Sequence, residues 1–192
     1  MKSQLFLVWV LLLCGSFLRS QNPVSPALGF NVFVENNLEL KSNESEGPVA
    51  AGGNLTIAGN YQVAIHNAGS FLVGGQAIGL VVGGKLLFQG NGDLKLNKGY
   101  VKIGDLTDAK VWYKDQNGAN ANIRITKTNG GYDSTPRISL QNNAPFFGNV
   151  SPVNNPVHQG NLIDFAAAFT QMRAASLDLS QCTHNAQLTN PN

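Results

Sequence analysis

A short apolar run, a glycine pair and a second short run recur along this chain, and that pattern limits the folds open to it. It reads VAAGGNLTI at 49–57, FLVGGQAIG at 71–79 and LVVGGKLLF at 80–88, with a weaker echo, VKIGDLTDA, at 101–109. Glycine reaches positive φ without steric penalty, so Gly52, Gly53, Gly74, Gly75, Gly83 and Gly84 are expected to be structural turns where strands change direction. Asparagine shares that tolerance, and Asn54, Asn60, Asn91, Asn97 and Asn117 sit between the runs. Polar side chains at such corners also satisfy main-chain groups that a sheet leaves open. The pairs at 52, 74 and 83 are spaced by 22 and 9 residues, so the pattern is no tidy tandem array. Short strands punctuated by Gly, Asn and Asp predict a mainly β chain, either a β-solenoid or a sandwich.

Composition agrees. The 192 residues are 43% hydrophobic and only 12% charged, with 21 glycines. An ordinary domain carries about 25% charged residues and about 7% glycine. Such a chain can bury a core but does not read as a helical bundle or as disordered.

The first twenty residues read as a signal peptide. Lys2 supplies a basic start, LFLVWVLLLC the apolar centre and GSFLRS the cleavage region, with Gln21 the expected mature N-terminus. The apolar stretch is too short for a membrane anchor and is followed by Gly15, Ser16 and Arg19. Removing Lys2 and Arg19 takes the 13 basic residues to 11, against 11 acidic ones. A neutral mature chain without a basic stripe gives nucleic acid no electrostatic hold. No transmembrane segment is expected after signal cleavage. Cys14 leaves with the signal, so Cys182 is the single mature cysteine and no intrachain disulfide is expected.

Residues 21–29 form a linker containing two prolines. FNVFVENNLEL then alternates as a strand does, but Phe33 breaks its polar side, which predicts cover on both faces. KSNESEG at 41–47 reads as a polar loop. Turns are expected at Asn117-Gly118 and at Asn129-Gly130-Gly131, and RISLQ at 137–141 as one more strand. Residues 142–160 read as an irregular connection. One helix is expected in NLIDFAAAFTQMRAASLDLSQ, with Asn161 as N-cap and Asp164 in the first turn. Leu162, Phe165, Ala166, Phe169 and Met172 share one face at helical spacing and are expected to pack on the β-structure.

The glycine pairs do not read as phosphate cradles. Gly83-Gly84-Lys85 is followed by Leu86, where a nucleotide loop needs a hydroxyl. Gly53 leads into Thr56 and Ile57, a β-branched strand, where a dinucleotide fingerprint needs a helix. His66, His158 and His184 lack metal-ligand spacing. No cofactor, metal or catalytic residue is therefore assigned. Two other readings make specific demands. A carbohydrate-active enzyme on a β-helix requires carboxylates such as Asp93, Asp105 and Asp108 to converge within about 5–9 Å. An ice-binding face requires a flat threonine ladder, for which Thr56, Thr126 and Thr128 are few. N-glycosylation sequons stand at Asn43, Asn54 and Asn149.

FNVFVENNLELKSNESEGPVAAGGNLTIAGNYQV, LVVGGKLLFQGNGDL and IDFAAAFTQMRAASLDL follow one another in order. Together they resemble the choice-of-anchor A domain of bacterial secreted and surface proteins, from Phe30 to about Leu179. That family shows an N-V-F-V strand, an E-G-x-V-A-x-G-G-N turn, a V-V-G-G-x-L turn and a helix rich in phenylalanine and alanine. The resemblance implies an irregular right-handed β-solenoid over 30–192 with one long α-helix along its flank. It implies a secreted or cell-surface, adhesin-like role without catalysis, with extracellular glycans, matrix or neighbouring cell surfaces as partners. Family domains continue past the helix with more β-structure, so the resemblance also implies a C-terminally incomplete domain and an unpaired sheet edge.

Overall fold

The computed structural model describes residues 22–141 and 156–181. The expected signal peptide, Cys182, Asn149 and most of the 142–160 connection lie outside the described residues. The described chain is mainly β, with one α-helix.

A 3₁₀ turn, Ser25–Ala27, leads into β1 (Val32–Val34), β2 (Leu38–Leu40) and β3 (Asn43–Glu44). A second pass gives β4 (Val49–Ala51), β5 (Leu55–Ile57) and β6 (Tyr61–Val63). The next gives β7 (Leu72–Val73), the long β8 (Gln76–Phe88) and β9 (Asp93–Leu96). Then come β10 (Tyr100–Asp105), β11 (Ala109–Trp112), β12 (Arg124–Lys127), β13 (Arg137–Leu140) and helix α1 (Phe165–Ser180). The segment expected to be a polar loop at 41–47 thus contains a short strand, β3.

Successive passes lie parallel and in register, forming three ladders. The first stacks β1, β4, the front half of β8, and β10. The second stacks β2, β5 and the back half of β8. The third stacks β3, β6, β9 and β13, and then adds β12 and β11 antiparallel. Strand β8 belongs to two ladders, so the first two form one seven-stranded sheet and the third a six-stranded sheet.

Alternation decides which side chains enter the core. Val49, Leu80 and Val101 align in the first ladder, Leu55 and Leu86 in the second, and Leu94 and Ile138 in the third. All are buried and merge into one hydrophobic cluster. Each such side chain contributes roughly 1.5–3 kcal/mol by leaving water.

The first ladder is buried on its outer side as well. Its outward row runs Phe33, Ala50, Val81 and Lys102. The Phe165 and Phe169 rings of α1 stack on Phe33 at centroid distances of 4.9 and 5.5 Å. Further along the row Lys102 is buried, and its Nζ donates to the Pro156 carbonyl at 2.7 Å. Ile103 donates to the Val157 carbonyl, and Gln159 donates back to the Ile103 carbonyl, each at 2.9 Å.

The helix differs from its expected start. Its N-cap is Asp164, whose carboxylate accepts from the Ala167 N–H at 2.9 Å. Asn161 and Leu162 precede it. Ala166 is exposed, and Ala168 takes the buried place beside Phe165. Position 168 lies three residues beyond Phe165, nearly one full turn, and so stays on the same side. Met172 is half-buried, and a bidentate pair between Arg173 and Glu35 at 2.9 and 3.1 Å ties the helix to the turn after β1. That pair holds the Glu35 carboxyl below its ordinary pKa.

Candidate functional site

The glycine pairs fall into two structural kinds. Gly74 and Gly75 have φ of 57° and 78° and form the tight turn of the β7–β8 hairpin, with open space where a Cβ would stand. Gly52, Gly53, Gly83 and Gly84 do not have positive φ, so that part of the expectation is corrected. Close approach excludes a side chain from these four. A Cβ at Gly52 would lie 2.2 Å from the Glu35 carbonyl oxygen, and one at Gly83 would lie 2.3 Å from that of Gly52. They form the corner where the first ladder turns into the second. Asparagines bond the layers there: Asn37 Oδ1 accepts from Asn54 N–H at 2.8 Å, and Asn54 Oδ1 from Lys85 N–H at 2.9 Å.

The acids considered for catalysis go to two places. Asp105 and Asp108 flank the Lys85 ammonium at 3.9 and 3.5 Å. Asp105 also accepts from the hydroxyl and the N–H of Thr107, and these bonds lower its pKa. Asp93 lies in the third ladder and pairs with Arg137 at 3.0 Å. Among the described residues no three of His, Cys, Asp and Glu gather as a metal site would require.

Burial separates the three outer surfaces. That of the first ladder lies under α1 and the 156–163 segment. That of the second is the short row Glu39, Thr56 and Leu87. That of the third is wide and polar. One of its rows runs Glu44, Gln62, Lys95, Ser139, Arg124 and Trp112, and the next runs Asp93, Arg137, Thr126 and Lys110.

Side chains in these rows hold one another. Arg137 reaches Asp93, and its Nε donates to Ser139 Oγ at 3.0 Å. Arg124 pairs with Asp133 and lies 4.1 Å from the Tyr132 ring centroid. Burial raises the Tyr132 phenol pKa, and its hydroxyl donates to the Asn122 carbonyl at 2.8 Å. Trp112 meets Tyr132 edge to face at 6.2 Å, and its indole N–H donates to Thr126 Oγ1 at 3.0 Å. Lys110 Nζ lies 3.7 Å from the Trp112 ring centroid. The result is a braced patch of aromatic and cationic groups, in which Arg124 and Arg137 are paired to acids. Lys95 and Lys110 have no ion pair among the described residues.

Sequence reasoning missed this patch. The usable signal was polar alternation in K-V-W at 110–112, R-I-T-K at 124–127 and R-I-S at 137–139, which places those side chains on one outer face. Of the threonines considered for ice, Thr126 is fully buried under Trp112. Thr56 stands between Glu39 and Leu87, and Thr128 lies beside the end of the second ladder.

The described chain is thus a mainly β scaffold with one face covered by α1 and a broad polar face left open by it. The chain belongs to the family described as Putative Ice-binding-like adhesive domain, whose model matches residues 23–192. No curated protein and no solved structure matches it. Membership supports an adhesive surface domain. No helix among the described residues is long and apolar enough to cross a membrane.

Proposed function

We propose that this chain is an exported adhesive domain of the choice-of-anchor A type, without catalytic activity. In this reading the three parallel ladders are faces of a right-handed β-solenoid flanked by α1. The outer face of the third ladder meets glycans, matrix or neighbouring cell surfaces. The observation that carries it is the patch of Lys95, Lys110, Trp112, Arg124 and Arg137 on the one broad face that α1 leaves uncovered. An aromatic ring beside the Lys110 ammonium, with Lys95 three strands further along the same face, suits anionic sugars: the ring covers apolar C–H surface and the ammonium groups meet carboxylate or sulfate.

Single contacts of this kind are weak, and display of many copies strengthens them by about 10²–10⁴. Beads coated with the protein are expected to be retained on surfaces bearing acidic glycans. Lys95→Glu with Lys110→Glu and Trp112→Ala is expected to abolish retention while the thermal unfolding temperature holds. Equal retention of the triple variant would end the assignment of this face. The enzyme reading is weaker because Asp93 is held in the third ladder by Arg137, whereas Asp105 and Asp108 are both held by Lys85, at the end of β10 and in the turn after it.

A further inference from the structure

The three ladders do not end at the same level. The first continues past β8 with β10, and the third continues past β9 with β13. The second stops at Leu86–Phe88 of β8, because the chain leaves β10 through residues 105–108 and enters β11 of the third ladder instead. A groove of about 620 Å³ stands at the missing place, lined by Leu86, Leu87, Phe88, Asp108, Lys127 and Thr128 among others.

Register fixes which main-chain groups face this groove. Gln89 N–H donates to the Ile57 carbonyl at 2.9 Å, and Ile57 is the register partner of Phe88. Residues of a parallel strand alternate between their two neighbours. Leu87 and Gln89 therefore bond β5, while Leu86 and Phe88 point away from it. Strand β10 follows β8 only as far as the Asp105–Lys85 pair. Beyond it, the Leu86 carbonyl and both main-chain groups of Phe88 have no partner among the described residues.

We propose that this groove receives an extended peptide segment of another protein, which pairs with β8 as the missing strand of the second ladder. This site is separate from the polar face of the third ladder and goes beyond the adhesive reading of that face. A donor and acceptors repeating at strand spacing are matched in full by another main chain, which is how edge strands capture peptides. Charge narrows the partner further. Asp108 is engaged by Lys85 at 3.5 Å, whereas Lys127 at the groove has no ion pair among the described residues. The segment therefore alternates apolar and polar residues and carries an acidic residue beside Lys127.

The test uses the full chain and a blocked six-residue peptide alternating valine and threonine and ending in glutamate. Saturable binding is expected, with Phe88 amide exchange slowed at least about 10-fold and Gln89 unchanged. N-methylating one alternate set of peptide residues is expected to abolish binding, and methylating the other set to leave it within about 2-fold. Lys127→Glu is expected to shift preference to a lysine-ended peptide. Binding indifferent to both methylations overturns the proposal. So does a Phe88 amide that already exchanges as slowly as Gln89 in the free protein. Protection that grows with protein concentration alone would put a second copy in the groove and overturn the assignment to another protein.

Discussion

Strand β8 runs through two ladders, and its halves live in different surroundings. The front half, ending in Leu80, Val81 and Val82, is buried on both sides, with core beneath and the α1 layer above. The back half buries Leu86 but leaves Leu87 on the surface with 36% exposure. Within β8 itself LVV and LLF are both continuously apolar, and the sequence marks the difference in the neighbouring strands: VAA of β4 is apolar throughout, whereas LTI of β5 alternates. Parallel strands covered on both faces lose alternation because both sets of side chains leave water. The comparison shows that α1 is an integral part of the first ladder, while the second has a solvent face and an unfinished edge.

The sharpest way to break this scheme is at the corner between the halves. Gly83→Val places a side chain against the Gly52 carbonyl, 2.3 Å from the new Cβ, and neither main chain can yield without parting the layers. We expect loss of more than about 4 kcal/mol and failure to fold, read by circular dichroism. Gly74→Ala meets open space and carries only the cost of positive φ, about 1–2 kcal/mol. Equal losses would show that close packing does not set the corner.

Next in size is the helix cover. Phe165→Ala removes the ring stacked on Phe33 and is expected to cost about 3 kcal/mol in denaturant unfolding. Leu87→Ala, on the open half, is expected to cost under about 1 kcal/mol. A reversal of that order would make α1 a loose appendage.

The smallest effect is a pH dependence. Burial pushes the Tyr100 phenol up to about 12, above its ordinary value of 10.0. The unfolded chain then ionises first, so this stability is complete below pH 10 and is lost as pH rises through about 12. The loss is on the order of 2 kcal/mol. Tyr100→Phe is expected to flatten the alkaline fall in unfolding free energy, and Tyr61→Phe in the third ladder to flatten it less. Equal flattening would remove the distinction between the two places.

Much of the fold was legible because its signals are local. VAAGGNLTI and LVVGGKLLF each cross the same corner. Phe33 announced a second covered face, and the turns near Asn117 and Asn129 fall between strands that pair antiparallel. FLVGGQAIG looked the same but is a hairpin, and that is why the glycine spacing seemed irregular. A positive-φ turn and a close-packed corner both demand glycine, and the letters alone do not separate them. The polar patch was hidden for another reason. Its members come from positions 95, 110, 112, 124 and 137, and only the stacking of strands far apart in sequence brings them to one face.

The glycine corner also keeps time for the chain. From Val34 to Leu38, Ala51 to Leu55 and Val82 to Leu86, the passage between ladders always takes three intervening residues. One extra residue there would put the following strand out of phase and turn its inward side chains outward. No such count governs the return to the first ladder. Only a few residues separate β3 from β4, whereas the β7 hairpin is inserted between β6 and the front half of β8. The Gly74-Gly75 tip is thus where the chain can grow longer, or carry foreign sequence, without disturbing the rhythm of the stack.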